Sequence, residues 1–387
     1  MPSVEIDISQ DVLDWAINQA IHGETTPKIM EYLTNWSSGI KKPTFRQLEE
    51  VSRGTGIPFG YFLLQAPPIE SVPVLEYRTI DSTYTIEPSR GLVKTIYHME
   101  SIQDWMHDYK ISEGYGRVDF VGSVTENNSS IDIANRIRLT ANIKKDWHSS
   151  VSNINEAFRF FRKKFEALGI LIMLSGIVGS NTHKKLNIEE FRAFTLLDDY
   201  APLVFINSTD SNGAKLFSLI HECVHIWLGK DNFFNDRRGS SSSVSPIETL
   251  CNAVTAEILV PNDLFILEWG NSKHLDKISR IEELSSNFKC GRATIARRAL
   301  DNRYITRKEY EAVVNRAIEQ FEEAQKNNAN GGQYYATEAF KIDNRFLLAL
   351  DSSLKEGKTQ FTDAYRLTNT TRKTFAKLVD KVRGIGQ

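Results

Sequence analysis

The sequence predicts an α+β protein that is mostly helical and contains one small sheet. Its 387 residues exceed what one ordinary hydrophobic core holds, which indicates two or three domains. Apolar residues recur at helical spacing along most of the chain, whereas strand-like runs are confined to residues 170–208. Hydrophobic residues make up 41% and charged residues 25%, a composition typical of soluble globular proteins.

Residues 1–66 are predicted to form a small helical domain. The segment "DVLDWAINQA" has apolar residues at helical spacing, and "TTPKIMEYLTNW" begins with a threonine N-cap and has Pro27 at the first helical position. Thr44, in "KKPTFRQLEE", can cap a third helix. The proline-rich "QAPPIESVPV" then indicates a connector, which places a domain boundary near residue 67.

Residues 67–270 are predicted to form the second domain, and residues 271–387 a third, mostly helical one. Amphipathic helices are expected at residues 91–110 and 153–168. Three strand-like pieces follow, "ILIMLSGIV", "FRAFTLLD" and "APLVFINS". Two further helices are expected in "KLFSLIHECVHIWLG" and "PIETLCNAVTAEILVP".

Charge is unevenly distributed along the chain. Residues 1–66 hold 5 Lys and Arg against 8 Asp and Glu, whereas residues 271–387 hold 22 against 15, a net charge of +7. Attraction to nucleic acid is therefore expected at the C-terminal end. The segment "SRIEELSSNFKCGRATIARRALDNRYIT" has the rhythm of a helix-turn-helix unit, and its second helix is expected to expose Arg292, Arg297 and Arg298. A solvated helix face is preferred to phosphate contact for these arginines.

Cellular location is predicted from what the sequence lacks. No apolar run reaches the roughly 20 residues that a membrane-spanning helix needs, and "MPSVEIDISQ" lacks the features of a secretory signal. The sparse, odd set of Cys223, Cys251 and Cys290 argues against a disulfide framework and for a reducing compartment. We expect a cytoplasmic protein without a membrane partner, in which Cys223 and Cys251 are buried structural thiols.

The segment "HECVH" places two histidines four residues apart with a glutamate after the first. On a helix such residues share one face at about 6 Å, so His221 and His225 can bind a single ion. Glu222 can then take a proton from water, because a metal with an open position lowers the pKa of bound water to about 7. A chance match of this short pattern is the alternative, and a third ligand decides between them.

Glu248 is the candidate third ligand, 23 residues after His225 and on the next helix. Asn252, four residues further on, lies on the same helix face and can support it by hydrogen bonding. The alternative is a capping box, in which the Glu248 carboxylate binds the backbone N–H of Ser245. Glu257 faces the opposite side of that helix and is a poorer candidate ligand.

These motifs in combination resemble the ImmA/IrrE family of bacterial metallo-endopeptidases. The family pattern is a strand ending in Asn, a short loop, an HExxH helix and a Glu-x-x-x-Asn helix, matched here by "APLVFINSTDSNGAKLFSLIHECVHIWLG" and "IETLCNAVTAEILVP". The resemblance implies a zincin-like, HExxH…E (gluzincin-like) peptidase core with Zn²⁺ as its cofactor, or alternatively Mn²⁺. By position it implies that His221, His225 and Glu248 are metal ligands and that Glu222 is the general base.

The resemblance extends to both ends of the chain. "NWSSGIKKPTFRQLEEVSRGTGIPFGYFLLQAPP" looks like the end of a Cro/repressor-type helix-turn-helix domain, and "GGQYYATEAFKIDNRFLLALDSSLKEGKTQFTDAYRL" resembles a C-terminal extension of longer members. The chain is shorter than the family pattern between Gly23 and Trp36, and residues 1–66 are acidic. A helical domain that packs on the peptidase or recognises a partner is therefore preferred to N-terminal DNA binding.

The resemblance implies a zinc-dependent endopeptidase that cleaves a helix-turn-helix repressor or antitoxin-like partner and so derepresses stress or mobile-element genes. The alternative is a DNA- or protein-binding regulator, a transcription or toxin–antitoxin component, with a structural metal. Glu222 argues against it, because a structural site has no use for a general base. Substrate is expected to add to the sheet beside "APLVFINS", taken as an edge strand. The unranked candidates for an oxyanion donor are Tyr77, Arg78, His183, Arg192 and Tyr200.

Overall fold

The structure is a computed structural model that describes residues 5–22, 25–68, 88–230, 232–234, 245–327 and 341–384. The "VPVLEYRTI" stretch with Tyr77 and Arg78, and the start of the C-terminal extension, lie outside these residues. Within them the protein is mostly helical with a small sheet, as the sequence predicts.

Three helices pack together at the N-terminal end, α1 (Gln10–His22), α2 (Pro27–Ser37) and α3 (Phe45–Thr55), followed by a 3₁₀ helix. Pro27 occupies the first turn of α2 as predicted, although the Thr26 side chain makes no capping hydrogen bond. Thr44 and Gln47 form a complete capping box at the start of α3. This region has its own hydrophobic core, which includes Leu33, Leu48, Val51 and Phe62.

Three longer helices precede the sheet, α4 (Arg90–Ser112), α5 (Ser130–Thr140) and α6 (Ile154–Ala167). Each begins at a residue whose side chain accepts a backbone N–H of the first turn: Ser89, Ser129 and Asn153 respectively. The helices expected at residues 91–110 and 153–168 are thus confirmed as α4 and α6, whereas α5 was not predicted.

The main sheet has four strands in the order β1, β5, β4, β6. Their bounds are β1 (Leu171–Ser175), β4 (Ala193–Leu196), β5 (Leu203–Asn207) and β6 (Asn232–Phe234), and β2 (Ile177–Val178) pairs with β3 (Asn181–Lys185) in a separate hairpin. Strands β1 and β5 run parallel, and β4 runs antiparallel to both β5 and β6. Of the three expected strand-like pieces, the first forms both β1 and β2, the second forms β4 and the third forms β5. Strands β3 and β6 were not predicted.

The expectation that "APLVFINS" forms an edge strand is wrong. Strand β5 pairs with β1 along one side, where Leu203 lies opposite Leu171, and with β4 along the other. Both rows of its backbone hydrogen-bonding groups are therefore occupied, so a substrate strand cannot add to β5. In the described part of the sheet, β6 is the edge strand next to β4.

The remaining helices cover the two faces of the sheet. They are α7 (Asn212–Leu228), α8 (Pro246–Leu259), α9 (Asn262–Asn271), α10 (Lys277–Asn287), α11 (Arg292–Asp301), α12 (Arg307–Asn327), α13 (Asn344–Lys355), α14 (Phe361–Thr368) and α15 (Arg372–Val382). Val204 and Ile206 of β5 pack into a core formed with α5 to α12, whereas Leu203 and Phe205 pack into a second core with α4 and α13 to α15. This alternation follows the two-residue period of a strand. The division into three domains, with two boundaries near residues 67 and 271, stays a prediction.

The predicted exposure of Arg298 is wrong. Its Nη2 pairs with Oε2 of Glu257 at 2.6 Å, and its Nε donates to the carbonyl oxygen of Val260 at 2.9 Å. Both side chains are about nine-tenths buried, so this arginine is not available to a phosphate.

Among the described residues, no helix is by itself long and apolar enough to cross a membrane. Helices α8 and α9 reach that length and apolar content only as a pair, and the pair is bent by 56°.

Candidate active site

Helix α7 carries the HExxH sequence and is enclosed by the fold. It begins after Ser211, whose hydroxyl accepts the N–H of Ala214 at 3.2 Å, and ends at Gly229, whose φ of 67° favours glycine. A side-chain carbon at Gly229 would also lie 3.0 Å from the Cα of Gly122. Within the helix both His221 and His225 are at most 1% exposed, so this part of α7 has no solvated face.

Three side chains converge at the middle of α7 and the start of α8. Nε2 of His221 lies 3.2 Å from Nε2 of His225 and 3.1 Å from Oε2 of Glu248. Oε1 of Glu248 lies 3.3 Å from Nε2 of His225. Within the part of the chain that the structure describes, this is the one group of three or more His, Cys, Asp or Glu side chains placed to hold a metal ion.

The Glu248 carboxylate does not complete a capping box. Oγ of Ser245 accepts the backbone N–H of Glu248 at 3.2 Å, so the serine half of the motif is present. The carboxylate instead turns toward the two histidines. Glu257 points away from this cluster and pairs with Arg298, which agrees with its lower rank as a ligand.

The electrostatics of the cluster suit a divalent cation. Burial alone would raise the pKa of Glu248, but the charges and hydrogen bonds of His221 and His225 hold that pKa below its usual value. Burial also lowers the pKa of His225, against the opposing effect of the Glu248 carboxylate. Two imidazoles and one carboxylate form a donor set that zinc accepts, and manganese as well. The residues present therefore fit the metal that the resemblance implies.

Cys251 supports His225 from the residue before Asn252. Its Sγ lies 3.8 Å from Nδ1 of His225, close enough for a weak hydrogen bond on the side of the ring away from the cluster. Cys251 and Cys223 are both buried, as expected for structural thiols. Asn252, which the sequence placed beside Glu248, lines a neighbouring cavity.

Glu222 is fully buried and held at one of its two oxygens. Oγ1 of Thr195, on β4, donates to Oε2 of Glu222 at 2.7 Å, and it also approaches the Glu222 carbonyl oxygen at 3.1 Å. Oε1 is buried and has no hydrogen-bond partner. Burial raises the pKa of the Glu222 carboxyl well above its usual value, against the opposing effect of the Thr195 hydrogen bond. Thr195 was missed from the sequence, where its only signal is a polar residue inside an apolar strand.

A cavity of about 630 Å³ lies beside the cluster, between α7, α8, α11 and α12. Phe217 contributes to its lining, and the Phe217 ring stacks on the ring of His221 with centroids 6.0 Å apart. Thr249, the residue after Glu248, lines it as well.

The candidates for an oxyanion donor have different positions. Arg192 lines the cavity and pairs with Asp210 at 2.6 Å. The ring of Tyr200 packs against His107, with centroids 5.1 Å apart. Tyr77 and Arg78, as well as the side chain of His183, lie outside what the structure describes.

Known protein families match two parts of the chain. Residues 165–300 match the IrrE N-terminal-like domain of the M78 peptidase family. This match covers roughly a third of the chain, from the end of α6 to α11, and contains all four candidate site residues. It supports the ImmA/IrrE family and a metallopeptidase role for the IrrE N-terminal-like segment. Residues 342–381 match a domain of unknown function. Neither curated proteins nor solved structures gave a match.

Proposed function

We propose that the protein is a metal-dependent endopeptidase in which His221, His225 and Glu248 hold Zn²⁺, with Mn²⁺ as the alternative. Glu222 is the general base. One observation carries the proposal: three ligand atoms meet within hydrogen-bonding distance, next to a buried glutamate that keeps one oxygen unbonded. The match to the M78 peptidase family supports it.

Each residue of the site has a separate task in peptide hydrolysis. A cation held by His221, His225 and Glu248 would supply Lewis acidity toward the scissile carbonyl and the attacking water. Glu222 accepts the proton of the attacking water at Oε1 and returns it to the leaving amine. Thr195 restrains the other oxygen, so the carboxyl stays oriented.

Substrate reaches the site from the side of Glu248. The Glu248 side chain is 25% exposed, whereas the two histidines and Glu222 are buried. The open side of the cluster is therefore at the start of α8, next to the cavity that Thr249 lines.

The proposed substrate is a helix-turn-helix repressor or an antitoxin-like partner in the cytoplasm. Cleavage derepresses stress or mobile-element genes. The ImmA/IrrE resemblance supports this part of the proposal.

The function is tested with Glu222→Gln and Glu248→Gln, assayed against a purified helix-turn-helix repressor. We expect Glu222→Gln to retain one equivalent of metal by elemental analysis and to lose cleavage by at least a thousandfold. Glu248→Gln should lose both metal and cleavage. A wild-type protein that binds the repressor, retains metal and never cuts it would instead support the DNA- or protein-binding regulator with a structural metal.

A further inference from the structure

We infer that the cavity beside the histidine cluster receives a short segment of the polypeptide substrate that carries apolar and acidic side chains. The inference rests on the proposed endopeptidase function and adds a substrate class to it. The cavity volume of about 630 Å³ lies in the range of roughly 300–1,000 Å³ that ligand sites occupy. One side chain would leave most of this space empty, whereas several consecutive residues fill it.

The cavity is joined to the cluster through both ligand-bearing helices. Phe217 lies one helical turn before His221 and stacks on its ring, and Thr249 directly follows Glu248. A peptide lying in the cavity therefore continues onto the open side of the metal ligands. This connection favours a substrate segment over a ligand unrelated to the reaction.

Helix α12 provides an apolar wall. Tyr310, Val314, Ile318 and Phe321 follow one another at helical spacing, and all four line the cavity. The opposite side is built from small residues, among them Gly213 and Gly291, whose backbones approach closely. A Cβ at Gly213 would lie 3.0 Å from the Cα of Gly291. The cavity thus has an apolar wall facing open space, which suits apolar side chains of an incoming chain.

The polar part of the lining carries more positive than negative charge. The charged residues of the lining are Arg192, Arg292, Arg297, Arg307, Asp210 and Asp301. Arg192 pairs with Asp210, Arg297 with Asp301, and Arg307 with Glu311 outside the lining. The surplus positive charge is therefore that of Arg292, whose Nη1 lies 3.9 Å from a carboxylate oxygen of Glu282. The first turns of α7 and α11 also open onto the cavity, and α11 begins at Gly291 without a side-chain cap. Nε of Arg192 is buried and lacks a hydrogen-bond partner. Carboxylates are favoured in such surroundings by the arginines and by the positive ends of both helices.

A nucleic acid fits this surface less well. The cavity is concave and largely apolar, whereas a duplex needs an extended basic face for its phosphates. Helix α12, which borders the cavity, carries five glutamates against four Lys and Arg, and it would repel a long polyanion. A short acidic peptide contacts only the arginine-lined part.

Binding is tested in the full-length, metal-loaded Glu222→Gln protein, which does not cleave. The probes are a fluorescent ten-residue peptide of Leu, Phe and Glu, and its counterpart with Lys in place of every Glu. By fluorescence anisotropy we expect the acidic peptide to bind at least tenfold more tightly. Ala317→Trp, which fills the cavity, should weaken that binding at least tenfold while the thermal unfolding midpoint stays within a few degrees.

Charge is tested with two matched substitutions at the first position of a helix. Arg292→Glu changes the cavity, whereas Arg372→Glu makes the same change at the exposed start of α15. Only Arg292→Glu should weaken the acidic peptide, by about tenfold, and improve binding of the basic one.

Three results would overturn the inference: equal affinity for both peptides, undiminished binding in a folded Ala317→Trp variant, or equal effects of the two charge reversals. Binding of a 20-base-pair DNA duplex that is abolished by Arg292→Glu but not by Arg372→Glu would also overturn the inference, and it would identify DNA as the ligand of the cavity. Repressor cleavage by the wild type is measured separately. If the wild type cleaves the repressor but the cavity does not bind the acidic peptide selectively, this inference is wrong and the proposed function stands. If the acidic peptide binds selectively but the wild type does not cleave, the proposed endopeptidase function is wrong.

Discussion

Oγ1 of Thr195 donates a 2.7 Å hydrogen bond to Oε2 of Glu222 and thereby ties strand β4 to helix α7. Both residues are fully buried, so no water competes for this bond. A buried carboxyl without a hydrogen-bond partner would have no fixed orientation. The single short bond to Oε2 fixes the Glu222 carboxyl and leaves Oε1 as its one unbonded oxygen. Thr195 is therefore a positioning residue for the proposed base.

Replacing Thr195 by Val removes the hydroxyl and nearly preserves the side-chain volume. A hydrogen bond to a charged group contributes about 1.5–3 kcal/mol, so we expect kcat for repressor cleavage to fall about tenfold to a hundredfold. KM should change less than twofold, because Thr195 contacts Glu222 rather than the substrate. Thr195→Ser keeps the hydroxyl and should restore most of kcat.

Thr255 provides a matched control for this experiment. It is also fully buried, but its Oγ1 has no hydrogen-bond partner. Thr255→Val should leave kcat unchanged and should not destabilise the protein. A loss of kcat in Thr255→Val equal to that in Thr195→Val would show that any buried threonine has this effect, and the positioning role would be discarded.

Metal binding should stabilise the fold, because the ligands lie on two separate helices that the ion would hold together. A ligand at a hundred times its Kd adds about 2.7 kcal/mol to the free energy of unfolding, so zinc should raise Tm by several degrees over EDTA-treated protein. The increase should persist in Glu222→Gln and vanish in Glu248→Gln. An equal increase in all three proteins would place the zinc at another site, and the measurement is differential scanning calorimetry.

Local sequence signals predicted most of the candidate site. The HExxH spacing placed His221 and His225 on one helix face, and the family resemblance selected Glu248 over its capping role. Thr195 escaped prediction because its contact with Glu222 joins residues 27 positions apart, on a strand and a helix whose packing no local pattern reveals. Arg298 was misassigned for the same reason, since its partner Glu257 lies 41 residues away.

The fold was predicted best where side chains act on their own backbone. The capping box of Thr44 and the first-turn position of Pro27 are such cases. Strand β5 was misplaced at an edge, although its five residues are all buried. A continuous apolar run is typical of a strand covered on both faces, and sheet order depends on pairings with β1 and β4 that the run does not encode. Strand β6 has three residues, which is too short for a recognisable alternation of apolar and polar side chains.

Lys110 should make the stability of the protein depend on alkaline pH. Its ammonium is buried and donates to the carbonyl oxygens of Gly169 and Tyr200. Burial lowers the pKa of Lys110 to about 8, against an ordinary value of 10.5. Between these values the unfolded chain binds more protons than the folded one, so this residue makes the free energy of unfolding rise with pH from about 8 to 10.5.

The measurement is urea denaturation between pH 8 and 10.5, compared between wild type and Lys110→Met. We expect the wild type to gain roughly 2–3 kcal/mol relative to the variant across this range. Lys164→Met is the control, because Lys164 is partly exposed and also donates to a backbone carbonyl, that of Asn142. If the wild type and Lys110→Met show parallel pH profiles, the buried ammonium has no lowered pKa.

The ion pair of Arg298 and Glu257 should be a point of high sensitivity in the packing of α8 against α11. Arg298→Met leaves the Glu257 carboxylate buried without its cation, and we expect a loss of about 3–5 kcal/mol in the free energy of unfolding. The double variant with Glu257→Gln removes the uncompensated charge and should recover at least half of that loss. The exposed pair of Arg307 and Glu311 gives the contrast: Arg307→Met should cost less than 1 kcal/mol. Urea denaturation measures all three variants, and similar losses at the two arginines would mean that burial does not set the strength of these pairs.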